Sequence, residues 1–140
     1  MTRRAARVAA VEMLYAADIR EVPASQLVDE DAHPYTKLLV SAVCERQGEI
    51  DRLLAEHAIG WRPERMSPVD RNVLRVGALE ILQGEVPAAA LIDEAVEIAK
   101  SFSGAEAGRF VNGVLAAILA ARPQRSETEP PAQDEASPAD

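Results

Sequence analysis

Apolar and polar residues follow one another along this chain at the 3.6-residue period of helices, punctuated by prolines and glycines. Val8, Val11, Leu14 and Tyr15 recur at that spacing and predict a first helix over about residues 2–20, with Pro23 ending it. Residues 24–33 are polar and acidic, with room for one short helix. A long helical pattern then runs from Tyr35 to about Ile59, with Leu39, Val43, Ile50 and Leu54 on one face. Gly48 leaves open a break into two helices, and Gly60-Trp61-Arg62-Pro63 reads as a connection between two halves of the chain.

Ser67-Pro68-Val69-Asp70 is a clear helix start, with serine at the cap, proline in the first turn and an acid three residues after the cap. The helix it opens runs to about Gln83 and is apolar on nearly all sides, through Val69, Val73, Leu74, Val76, Leu79, Ile81 and Leu82. Such a helix belongs at the buried centre of a bundle. Gly84 terminates it. After Pro87 another helix sets Ile92, Ala95, Ala99 and Phe102 against Asp93, Glu94 and Glu97. Gly104 and Gly108 frame a turn or a short extra helix. The last helix, roughly residues 107–121, turns Val111, Val114, Leu115 and Ile118 inward. Within it Gly113 costs about 1 kcal/mol relative to alanine, which a close approach of another backbone or a ligand would offset. A wedge at Gly113, and overpacking by Gly113→Leu, are therefore expected. No strand pattern and no internal repeat emerge.

Of the 140 residues, 48% are hydrophobic but only 4% aromatic, a balance that favours helices packed on helices over a sheet. One cysteine, Cys44, excludes an internal disulfide framework and a multi-cysteine zinc site. No stretch approaches the ~20 apolar residues of a membrane span, and the N-terminus lacks the apolar core of a secretory signal. A cytoplasmic protein is the simplest reading. The net charge of −8 argues against nucleic acid only until its distribution is seen. Beyond Pro123, five acids stand against Arg125 alone, a net of −4, in a Pro- and Ser-rich segment expected to be disordered. At the other end Arg3, Arg4 and Arg7 precede the first acid, Glu12.

Catalysis finds little support. His33 before a proline reads as a loop residue, His57 as a helix-end residue, and Cys44 as a small core residue. Asp93, Glu94 and Glu97 read as a solvated helix face. No metal-ligand spacing and no phosphate-binding glycine loop is found. The arginines say more. Arg3 and Arg7 are one turn apart with Arg4 beside them, so all three can share one side of a helix. Cations there oppose the helix macrodipole, so fold stability does not ask for them, whereas a phosphate-bearing ligand would. Lys100, Arg109, Phe110 and Tyr15 could extend the patch if the first and last helices are neighbours. Cations with aromatic planes suit single-stranded RNA. Tyr15 and Phe110 could equally be core residues, the favoured reading for Phe110 from the residues alone.

Four blocks of this chain resemble the NusB family of bacterial transcription antitermination factors. They are Arg3-Arg4-Ala5-Ala6-Arg7 leading to Met13-Leu14-Tyr15; Val69 to Val76; Val86-Pro87 through Ile92 to Lys100; and Phe110 to Leu115. The likeness covers about residues 2–120. It implies an all-α fold of two small helical bundles packed together, about seven helices, in a domain over 1–122 subdivided near 60–66. It implies no enzyme, no cofactor and no metal. Family members pair with a small-subunit ribosomal protein, NusE. The pair binds the single-stranded box A element of nascent RNA and joins an antitermination complex on RNA polymerase, notably on ribosomal RNA operons. By position, Arg3, Arg4, Arg7, Tyr15, Lys100, Arg109 and Phe110 match the RNA-binding surface, and Glu80 matches an acidic position facing the ribosomal protein. The short basic segment, the Gly104-to-Gly108 loop without an Asp-Ser pair, and Ala116 in place of a polar residue depart from the pattern. The departures imply weak RNA binding by the lone chain. The same fold serves as the N-terminal domain of ribosomal RNA cytosine methyltransferases, an alternative if the chain is a fragment. A homodimeric adaptor without RNA is the other.

Overall fold

Residues 2–58 and 66–122 are described by a computed structural model, which folds them into six α-helices and one 3-10 turn with no strand among them. The predicted tail at 123–140, and all of the predicted subdivision near 60–66 except Met66, lie outside the described residues. Helix α1 (Arg3–Arg20) is capped by Thr2, whose hydroxyl accepts from the Ala5 amide at 3.0 Å. It ends at Glu21, which takes the left-handed conformation with φ 58°, two residues before Pro23. The short helix expected in 24–33 is the 3-10 turn Ala24–Leu27.

The long pattern after Pro34 does divide, but not at glycine. Helix α2 (Pro34–Glu45) closes on the Arg46 amide, and α3 (Gln47–His57) opens from the Arg46 carbonyl. Gly48 sits inside the first turn of α3. The break lets Leu39 and Val43 on α2, and Ile50 and Leu54 on α3, all reach full burial.

Helix α4 (Pro68–Gln83) starts and stops as predicted. Ser67 Oγ accepts from the Asp70 amide at 3.1 Å, and Gly84 ends the helix with φ 69°. Every residue from Asn72 to Ile81 is buried, because α4 is touched by α1, α2, α3, α5 (Ala88–Ser103) and α6 (Ala105–Ala121). It is the axis on which the other five helices pack. The six α-helices among the described residues are near the about seven expected of the all-helical fold.

Two glycine expectations are corrected. Gly104 alone separates α5 from α6, and Gly108 is a helical residue inside α6. Gly113 faces solvent, and a Cβ built on it would meet nothing within 4 Å. The close approaches are elsewhere. A Cβ on Gly77 would stand 2.7 Å from Leu115 Cδ1, and one on Gly108 would stand 2.5 Å from Lys100 Cγ. Phe102, expected on the inner face of α5, is 41% exposed beside the helix end.

These positions separate in a thermal melt. Gly113→Ala should stabilise by about 0.5–1 kcal/mol, the helix-propensity difference at an open site. Gly77→Val should destabilise by about 1–3 kcal/mol, because Leu115 is fully buried and has no room to yield. A loss of melting temperature in the first variant, or none in the second, would contradict this packing.

Candidate nucleic-acid interface

The first turns of α1 carry the arginines, and the fold treats each one differently. Arg3 and Arg4 are exposed, whereas Arg7 is only 5% exposed. Helices α1 and α4 run antiparallel, which sets Arg7 opposite Glu80 near one end and Asp18 opposite Arg71 near the other. Arg7 Nε and Nη2 each donate to a Glu80 oxygen at 2.9 Å, a bidentate pair in a site where Glu80 is 1% exposed. The Tyr35 hydroxyl donates to the same carboxylate. Burial alone would pull the Arg7 guanidinium down, but the Glu80 hydrogen bond and charge outweigh it and hold Arg7 above its ordinary value. Burial, and then the bond to Glu80, push the Tyr35 phenol up, so it remains a donor at neutral pH.

Tyr35 also underlies the outer arginine. Its ring centroid lies 4.4 Å from the Arg3 guanidinium carbon and 5.5 Å from that of Arg7. Arg4 turns the other way, onto α5, where Nε and Nη2 donate to the two oxygens of Glu94 at 2.8 and 3.0 Å. Glu94 Oε1 is also 4.0 Å from Arg7 Nη1. The Arg4 hydrogen bond, working against some desolvation, keeps the Glu94 carboxyl below the usual range. The end of α1 is thus tied to α2, α4 and α5 by one chain of charges.

Tyr15 is 38% exposed on α1, two turns beyond Arg7. Lys100 and Arg109 are exposed where α5 meets α6, and the stem of Lys100 crosses Gly108. Lys100 Nζ lies 3.4 Å from Glu97. Phe110 is half-buried against the core, in line with the residue-level reading. The first and last helices are not packed on each other; α6 rests on α5, α4 and α3. The N-terminal end of α1 and the α5–α6 junction are instead joined through α5, whose Glu94 holds Arg4 and whose Glu97 meets Lys100. Glu80 does not present its carboxylate to a partner, because both oxygens are held inside the chain. It acts on the surface by fixing Arg7 and Tyr35.

Tyr35 and Glu94 are the functional candidates that the sequence reading missed. Tyr35 is one of only two tyrosines and stands in the first turn of a helix, the one available signal. Glu94 was hidden among solvated acids. His33 Nδ1 caps α2 through the Tyr35 amide, His57 Nδ1 lies 2.9 Å from the Leu53 carbonyl, and Cys44 is half-buried, so none of the three is arranged for catalysis. Among the described residues no cluster of His, Cys, Asp or Glu could hold a metal ion, and no helix is long and apolar enough to cross a membrane.

A second network anchors the other end of α1. Asp18 accepts from Arg71 at 2.9 Å, Asn72 at 2.9 Å and Arg75 at 3.0 Å, and Arg75 also grips Asp51 of α3 at 2.8 and 3.0 Å. Burial tends to raise the Asp18 carboxyl, but Asn72, Arg71 and Arg75 together bring it below the ordinary value.

Comparison with known proteins gives one answer. The NusB family model matches residues 4–120. The transcription antitermination protein NusB of Thermobifida fusca is 40% identical over 133 residues, covering 89% of this chain and 94% of the relative. Among solved structures, NusB of T. maritima superposes with a TM-score of 0.78 at 31% identity, covering 86% of this chain and 92% of the other. A crystal structure of antitermination factors NusB and NusE in complex with dsRNA matches with a TM-score of 0.76 at 30% identity, over 86% of this chain and 97% of that one.

Because Arg7 is buried, the three arginines part company on mutation. Arg7→Ala strands a buried carboxylate and should cost about 3–5 kcal/mol in a denaturant titration, while Arg3→Ala and Arg4→Ala should each cost under about 1 kcal/mol. Equal, small losses for all three would show that Arg7 is not buried in solution. Acid supplies a further test. The Asp18 carboxyl is lower in the folded state than its unfolded value of about 3.9, so its stabilisation is complete above that pH and is lost as pH falls through the folded value. Asp18→Asn should therefore lower stability at pH 7 and flatten the acid limb below about pH 4. An acid limb as steep as in the unaltered protein would remove Asp18 from that role.

Proposed function

The chain belongs to the NusB family, and from that premise we propose that it is a transcription antitermination factor that binds box A-type single-stranded RNA together with ribosomal protein NusE. One observation carries the reading as far as an RNA and NusE partner: a relative matched over 97% of its length was solved with NusE and dsRNA. The surface of this chain is consistent with such a partner. Arg3 lies over Tyr35, Arg4 is exposed on the α5 side, Tyr15 exposes its ring, and Lys100 with Arg109 adds cations where α5 meets α6. Cations that receive phosphates, next to aromatic rings that stack on unpaired bases, favour a single strand over a duplex.

The proposal extends to an antitermination complex with RNA polymerase on ribosomal RNA operons, in the cytoplasm where nascent RNA is made. No chemistry on the RNA is involved; the relatives carry the name of antitermination proteins and not of enzymes. With Arg7 committed to Glu80 and Arg4 to Glu94, two of the three arginines in the first turns of α1 are already paired. NusE then supplies a large share of the binding surface.

Fluorescence anisotropy tests this. A labelled box A RNA is titrated with the chain alone and with its NusE partner, beside a scrambled single strand and a duplex. The pair should bind box A at least about tenfold more tightly than the chain alone, with affinity falling steeply in salt. Absence of selective binding by the pair would reject the RNA reading and leave a protein adaptor, for which a homodimer in solution would be the signature.

A further inference from the structure

Two of the four exposed cations assigned to RNA are already engaged by acids on one helix, α5. Arg4 holds Glu94 through two hydrogen bonds at 2.8 and 3.0 Å, and Lys100 lies 3.4 Å from Glu97. The two pairs differ in kind. The first links residues 90 apart in sequence, across two helices, and its carboxylate is only 27% exposed. The second is a loose contact within one helix turn, with both groups about half exposed.

A carboxylate and a phosphate present the same paired oxygens to a guanidinium. Glu94 therefore occupies the position on Arg4 that a phosphate would take. We propose that Glu94 is an intramolecular competitor of the RNA backbone for Arg4, a built-in anion that a phosphate must displace before the N-terminal end of α1 engages RNA. The inference rests on the RNA-binding reading above. Its physical content lies in the exchange. With Arg4 half exposed, the pair is worth little on its own and can open without disturbing the fold. Arg7, the other cation near Glu94, keeps Glu80 when the exchange occurs. A displaced Glu94 is then left beside a phosphate, where it repels the RNA and takes up a cation from solution. Both effects weaken binding and flatten its salt dependence. A polyanion offering charge alone meets this opposition in full, whereas an RNA that also stacks on Tyr15 and neighbouring rings has further contacts to offset it.

Glu94→Gln keeps the shape and removes the charge. In the complex with NusE it should bind box A RNA about three- to tenfold more tightly at low salt, and the slope of log affinity against log salt should steepen by about one. Glu97→Gln, at the looser pair, should change affinity less than Glu94→Gln. The melting temperature of Glu94→Gln should stay within about 2 °C of the unaltered chain, since the Arg4 guanidinium is half exposed and the glutamine keeps an oxygen to accept from it. Unaltered or weaker binding by Glu94→Gln would overturn the proposal, because a carboxylate that only positions Arg4 for RNA would be missed on removal. The Arg4→Ala background decides whether the gain runs through Arg4. There Glu94→Gln should give little benefit, and a gain as large as in the native background would reduce the effect to general charge and reject the competition. The unaltered complex in the same titration tests the RNA reading separately, so the two failures are distinguishable.

Discussion

The antiparallel contact between α1 and α4 is the constraint on which the remaining structure hangs. It is closed at one end by Arg7 on Glu80 and at the other by Asp18 on Arg71, Asn72 and Arg75. A buried ion pair is a poor source of net stability, because desolvation takes back most of what the attraction supplies. It is a strong source of register. Sliding α1 by one turn along α4 would break the bidentate Arg7–Glu80 pair and the grouping of Arg71, Asn72 and Arg75 on Asp18 together. Register also sets the surface, since in this alignment Arg3 meets Tyr35 and Arg4 reaches α5.

The fold was largely legible in the chain because its helices obey local rules. Thr2, Ser67 and Gly84 act through backbone groups within a few residues, so cap and terminus can be read without knowing what lies opposite. The apolar surround of α4 likewise announces a central helix. What could not be read depends on partners distant in sequence. Gly113 looked like a packing glycine from its neighbours alone, yet the residue opposite decides whether a missing Cβ matters. That residue is Leu115 for Gly77 and Lys100 for Gly108. The break at Arg46 rather than Gly48 has the same origin, in the need to bring two apolar faces onto one helix.

The site was legible by residue type and illegible by state. That a cationic cluster opens the chain is plain from Arg3, Arg4 and Arg7. That one of them is a buried structural ion, one rests on an aromatic ring and one is held by an acid follows from the positions of Glu80, Tyr35 and Glu94. Those lie 73, 32 and 90 residues away from Arg7, Arg3 and Arg4 respectively. The resemblance to known relatives could mark positions. It could not say which of them faces water.

In the proposed complex, this division of labour would let a chain of net charge −8 meet a polyanion. Its positive field is local, and part of it is neutralised until needed. A surface of unpaired arginines would attract any nucleic acid at low salt, with affinity set by charge and little by sequence. Pairing Arg4 with a carboxylate, and lodging Arg7 in the core, lowers that indiscriminate attraction while keeping the guanidinium of Arg4 oriented at the surface. In the proposed complex, selectivity would then pass to groups that charge alone cannot satisfy, the exposed ring of Tyr15 and the second protein. On this reading an acidic protein would gain in specificity what it gives up in raw affinity, and the acids placed against Arg4 and Arg7 would be the means.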